Sequence, residues 1–255
     1  MNQKIQYSFS KGIATLVIDS DTQNTIDLQF IEEFRFALKE ILKTEAKVLI
    51  VESAKEDFFC NGFNPDVFLE ATEEQIKNAM RQLLLLGNEQ FFYPLPTISV
   101  ISGYAAGGGA FIAIYNDFRF MSKNKSRIGF TEVHLSMTIP SLALEILSYK
   151  IGLQNTLKAV ITGRMFKAEE CLKYNLVDEV FENFEDTKKA AYRLAKQISE
   201  LPLSSLKSLK QGTLRWIPRE HFATQIEKDL EEIGELMSKP ECKKAFSLLK
   251  QKKRK

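Results

Sequence analysis

Pro96-Thr-Ile-Ser-Val-Ile-Ser-Gly103-Tyr-Ala-Ala-Gly107-Gly108-Gly109-Ala-Phe-Ile-Ala-Ile-Tyr-Asn-Asp117 joins a short apolar run, a glycine triplet and a second apolar segment. The first run reads as a buried strand and the last segment as a helix. Glycine at the junction permits unusual backbone angles and lets a ligand approach the main chain. The helix N-terminus behind it presents N–H groups and a partial positive charge. Such a turn suits a phosphate, or an oxygen that becomes anionic during a reaction. A tight turn with close strand–helix packing is the plain alternative for the triplet alone.

A second stretch repeats the pattern. Phe58-Phe-Cys-Asn61-Gly62-Phe63-Asn64-Pro65-Asp66 follows the apolar strand at 47–51 and leads into another helix start. Two such turns, separated by a long helical segment, can supply two N–H donors to one oxygen.

Further outward, strands and helices alternate. Strands are expected at 5–9, 13–19, 47–52, 97–103, 117–122, 126–129 and 177–181. Helices are expected at 28–44, at 66–92 with a break near 69–73, from 109 to 115, and at 142–152, 153–162, 168–174 and 185–200. This alternation indicates an α/β fold with parallel strands. From Pro202 onward the pattern is helical, interrupted at Pro218 and Pro240. The basic run 250–255 reads as a solvated terminus.

The chain has 255 residues, enough for a sizeable core. Lys plus Arg total 35 against 33 Asp plus Glu, a net charge of +2, so charge gives no argument for nucleic acid or a membrane surface. The three cysteines, Cys60, Cys171 and Cys242, lack metal-ligand spacing, and an odd count fits a reducing compartment. No apolar run is long enough to cross a bilayer, and nothing after Met1 has the form of a signal. The expected location is cytoplasmic.

With these motifs the chain resembles the crotonase (enoyl-CoA hydratase/isomerase) superfamily. The resemblance runs from about Ile5 to about Leu209. It rests on the F-C-x-G-F turn, the G-Y-A-A-G-G-G turn, the I-G-F-T-E segment ending at Glu132, and the long segment from Ala159 through Gly163 to Val180, in that order. It implies a ββα spiral core over residues 1–200 that binds an acyl-CoA. It also implies a helical region, 201–255, that packs at a trimer interface, hence a homotrimer or dimer of trimers. Coenzyme A would enter as part of the substrate, with no separate cofactor and no metal. The thioester oxygen would be held by the backbone N–H groups of Phe63 and Gly108. Asn61, Gly62, Asn64, Pro65, Gly107, Phe111 and Thr131 would surround the substrate, with Asn64-Pro65 departing from the usual alanine-glycine-x-aspartate pattern.

In hydratases of this superfamily two glutamates handle one water. The position three residues after the middle glycine is Phe111 here, whereas the second position is Glu132. Hydration needs one group to activate water and another, or the same in concert, to deliver a proton. A single carboxylate suffices to take a proton from one carbon and return it two carbons away, as in the Δ3,Δ2-enoyl-CoA isomerases. Phe111, Phe130, Leu135 and Ile139 are expected to wall Glu132 and raise its pKa. Leu83–Leu86 is expected to face the core or an acyl chain. His134, two residues past Glu132, would share its face on an extended segment. Cys60 reads as a small core residue, and Asp66 and Asp117 as capping or packing residues. Other superfamily chemistry (decarboxylation, thioester hydrolysis, a carrier-bound substrate, weak hydration) and a non-catalytic CoA-binding role stay open. The missing lysine after the first turn counts against decarboxylation.

Overall fold

A computed structural model describes residues 3–253 apart from Trp216 and Pro218, and apart from the side chains of Phe68, Arg219, His221, Ala223, Ser238, Lys252 and Lys253. Pro218 as an interruption and the Arg254-Lys255 end of the basic run therefore lie outside the described residues. The strands are β1 (Ile5–Ser10), β2 (Ile13–Ile18), β3 (Val48–Ser53), β4 (Phe58–Cys60), β5 (Thr97–Ile101), β6 (Tyr104–Ala106), β7 (Phe118–Ser122), β8 (Arg127–Gly129), β9 (Phe166–Lys167) and β10 (Glu179–Phe181). The helices are α1 (Leu28–Ile41), α2 (Pro65–Glu70), α3 (Glu73–Phe91), α4 (Gly108–Ile114), α5 (Ser141–Ile151), α6 (Leu153–Thr162), α7 (Ala168–Lys173), α8 (Phe184–Ser199), α9 (Leu203–Leu214), α10 (Arg219–Ser238) and α11 (Pro240–Lys253).

One sheet runs β1-β2-β3-β5-β7-β10 and a second runs β4-β6-β8-β9. The β1–β2 hairpin and the β8–β9 pair are antiparallel, and the other pairings are parallel. Every residue of β3 and of β5 is buried, as expected of strands covered on both faces. On one side α8 packs its small residues Ala190, Ala191 and Ala195 against Val48, Ile50, Ile98 and Val100. The larger core, built on Phe30, Phe34, Phe59 and Phe130, fills the other side.

The expected strand 97–103 is in fact two strands in two sheets. It stops at Ile101, and Tyr104–Ala106 joins the second sheet. Gly103 marks the switch: a Cβ there would overlap the backbone of Asp57. The close approach allows Tyr104 N–H to donate to Asp57 O at 3.0 Å, while Ser102 Oγ donates to Lys55 O at 2.8 Å. The short strands β4 and β9 were not expected, because two or three residues carry no readable alternation. Helix 28–44 ends early, at Ile41.

The break expected near 69–73 falls between α2 and α3. There Thr72 Oγ1 accepts from Gln75 N–H while Gln75 Oε1 accepts from Thr72 N–H, a capping box that starts α3. Buried Asn24 binds β4 to the first sheet, its Nδ2 lying within 3.3 Å of the Ile18, Phe58 and Phe59 carbonyls and 2.8 Å from Ser53 Oγ. The C-terminal helices fold back onto the chain's own core: α10 against α3 and α5, and α11 against α2 and a 3-10 turn at Glu132–Leu135.

Candidate active site

The two glycine turns meet. At the first, Gly62 has φ +68°, and a Cβ on it would lie 2.7 Å from Ala106 O and 3.6 Å from Gly108 N. Ile26 N–H donates to Gly62 O and Asn64 N–H to Ile26 O, both at 2.9 Å. Asn64 N–H thus faces Ile26, while Phe63 borders the same space as Gly107 and Gly108 of the second turn.

At that turn Gly107 has φ +53°, and its N–H donates to Gly129 O at 2.9 Å. Gly108 opens α4, so its N–H has no acceptor within the helix. A Cβ on Gly108 would touch Ile26, Leu83 and the Phe63 ring, at 3.2 to 4.0 Å. Gly109 is needed for packing, because a Cβ would overlap the Cys60 carbonyl oxygen.

The pairing of Ala106 with Gly129 carries the next residues of the chain to the same place. Residues 132–135 form a 3-10 turn rather than an extended segment. A methyl group on Gly107 would lie 3.3 Å from Glu132 Oε1 and 3.8 Å from Thr131 Oγ1. Glu132 Oε2 is buried with no hydrogen-bond partner among the described residues. Burial pushes the Glu132 carboxyl up to about 7, against the opposing effect of its own backbone N–H.

Asn61, Gly62, Phe63, Gly107, Gly108, Phe111, Thr131 and Glu132 all line one cavity of about 140 Å³. Its other walls are mainly apolar and include Leu83, Leu84 and Leu86, part of the run expected to face a core or an acyl chain. Among the described lining residues Glu132 is the sole carboxylate.

Several expectations need correction. Asn64 and Pro65 do not line the cavity: Asn64 Oδ1 caps α2 by accepting from Asp66 N–H at 3.0 Å, and Pro65 is the first residue of that helix. Phe130 and Ile139 are buried but do not line the cavity, Phe130 with its ring 4.8 Å from that of Phe111, whereas Phe111 and Leu135 do line it. His134 shares no face with Glu132, because the 3-10 turn rotates it outward to bond Gly163 O at 3.1 Å. Asp117 has the packing role expected of it, accepting from Thr97 N–H at 2.8 Å and from Lys210 Nζ at 2.6 Å.

Sequence reasoning missed Tyr115, Gln90, Phe246 and Leu249, all of which line the cavity. Tyr115 lies one helical turn beyond Phe111, a spacing that could have found it. Burial, with the nearby Glu132 carboxylate, raises its phenol well above the ordinary range. Gln90 Nε2 donates to Ile112 O at 2.8 Å, and its Oε1 is buried without a partner among the described residues. Phe246 and Leu249 come from α11 and have no local signal, since they reach the site only through the fold.

Comparison with known proteins gives three findings. The family profile described as enoyl-CoA hydratase/isomerase matches residues 8–255. Among curated proteins, the fatty acid oxidation complex subunit alpha of Aliivibrio fischeri is 31% identical over 174 residues, covering 65% of this chain and 25% of that protein. The subunit of the same name from Shewanella loihica is 28% identical over 215 residues, covering 79% and 30%. The chain thus spans less than a third of the length of these relatives. Among solved structures, human mitochondrial Δ3-Δ2-enoyl-CoA isomerase superposes with a TM-score of 0.92 at 20% identity, over 99% of this chain and 98% of the other. Enoyl-CoA hydratase from Bacillus halodurans follows at 0.86 and 21%, over 96% and 99%. At these identities the superpositions establish a shared fold.

Proposed function

The chain belongs to the enoyl-CoA hydratase/isomerase family, and on that premise we propose that it moves the double bond of a 3-enoyl-CoA to the 2-position. The observation that carries this reading is a lone carboxyl, Glu132, in an apolar cavity where Phe111 stands instead of a second acid. The Phe63 and Gly108 amides would donate to the thioester oxygen. This placement stabilises the enolate and acidifies the α-carbon. Ionised Glu132 takes a proton from C2, the electron pair delocalises toward the oxygen, and the same proton returns at C4 as the C2–C3 double bond forms. No water or second carboxylate is required. A carboxyl held near pKa 7 is matched to both halves of that transfer at neutral pH.

A homotrimer belongs to the same proposal. It is supported by Leu153, Leu157 and Ile161, an exposed apolar stripe along one face of α6. Sedimentation velocity checks it.

The test is conjugation of 3-hexenoyl-CoA followed by absorbance, beside hydration of 2-hexenoyl-CoA. Conjugation with little hydration is expected, and Glu132→Gln should lower the rate by at least 10³-fold. Dominant hydration would instead point to water held by another polar side chain of the lining, such as Tyr115 or Gln90.

A further inference from the structure

We propose that the cavity continues past Phe246 into a second apolar chamber that takes the distal methylenes of a long-chain acyl thioester, with Phe246 as the divider that sets chain-length preference. The inference rests on the acyl-CoA reading above.

The second chamber, about 180 Å³, lies where α2 and the start of α3 meet α10 and α11, with Leu69, Ile76, Met237 and Cys242 on its walls. Among the described residues, Phe246 alone borders both spaces. Two helices run along both. On α3, Ile76 borders the second chamber and Met80 and Leu83 the first. On α11, Cys242 borders the second chamber, Phe246 both, and Leu249 the first. Each set follows i, i+4, i+7 spacing and so occupies one helix face. The two apolar faces therefore bound a single slot, interrupted by one aromatic ring that is only 3% exposed.

The occupant follows from connectivity. What enters this slot from the Glu132 end is the acyl chain, because the thioester must sit at the glycine turns. The walls are mainly apolar, and of the charged lining groups Glu73, Lys77 and Lys243, Lys77 and Glu73 pair with each other at 2.8 Å. An unbranched hydrocarbon fits such a surface, and each methylene buried should tighten binding about fourfold.

The test measures dissociation constants of hexanoyl-CoA and tetradecanoyl-CoA by calorimetry. Both are saturated and unreactive, so the readout does not depend on isomerisation. Cys242→Trp fills the second chamber from its far wall, and Met237→Trp does so if the first variant fails to fold. Expected is a loss of at least tenfold for tetradecanoyl-CoA with hexanoyl-CoA changed less than twofold. Phe246→Ala should raise the preference for the longer chain by at least fivefold. Equal effects on both chain lengths, or none in any variant, would overturn the proposal. Failure of hexanoyl-CoA to bind the unaltered protein would instead overturn the thioester reading on which it rests.

Discussion

At Glu132 the chemistry and the stability pull in opposite directions. Its carboxyl sits near pKa 7 against an ordinary value of 4.5, so between these pH values the folded protein holds a proton that the unfolded chain releases. The group's favourable contribution is complete below about pH 4.5 and is lost as pH rises through 7, by up to about 3 kcal/mol. The proposed proton transfer needs the ionised form. kcat/KM should therefore rise about tenfold per pH unit below pH 6 and level off above 7.5, and a flat profile from pH 5.5 to 8.5 would exclude Glu132 as the base. Glu132→Gln should be inactive yet melt several degrees higher than the unaltered protein at pH 8, with the gap closing toward pH 5. Calorimetry at both pH values checks the sign.

The glycines sort by what surrounds them. In Gly109→Ala the new methyl meets the Cys60 carbonyl, backbone that cannot move without separating the two turns. That variant is expected to lose several kcal/mol, and with it the proposed acyl-CoA binding. Gly212, in α9, has open space where an added methyl would stand and no positive φ. Gly212→Ala should stabilise by about 0.5–1 kcal/mol, since alanine is the better helix former. Chemical denaturation of the pair measures the contrast. The sequence GGG is identical in chemistry at all three positions, yet Gly107 serves a left-handed φ, Gly108 an N-terminal amide and Gly109 a contact.

Across the molecule an ionic cluster with buried cations and partly exposed carboxylates holds the helical end to the sheet. Asp117, at the start of β7, accepts from Lys210 of α9, while Arg119 pairs with Asp178 at 2.7 Å. Lys150 of α5 donates to Asn116 O at 2.7 Å, and burial, helped by the Arg119 charge, pushes it down to about 8. Asp117→Ala would strand buried cations and remove the acceptor for Thr97, so a loss of about 3–5 kcal/mol is expected. Thermal melts check this, and Lys210→Met should cost less, because it removes one of the cations rather than their shared anion.

Strand–turn–helix order, the two glycine turns and the pairing of Phe111 with Glu132 were legible in the sequence because they rest on local periodicity and on short motifs. The sheet switch at Gly103, the Asn24 bonds and the 3-10 turn that rotates His134 away were not, since each depends on backbone distant in the chain. Asn64 and Pro65 adjoin a turn that faces the cavity, but that they start α2 rather than line the cavity was not legible. By itself, then, the sequence determined the fold class, the candidate acid and the absence of a second one at position 111. Only the tertiary structure decided how far Glu132 is withdrawn from water, which residues of α3 and α11 close the cavity, and where Phe246 divides it. Burial and enclosure are properties of segments brought together from opposite ends of the chain, and no local spacing encodes them.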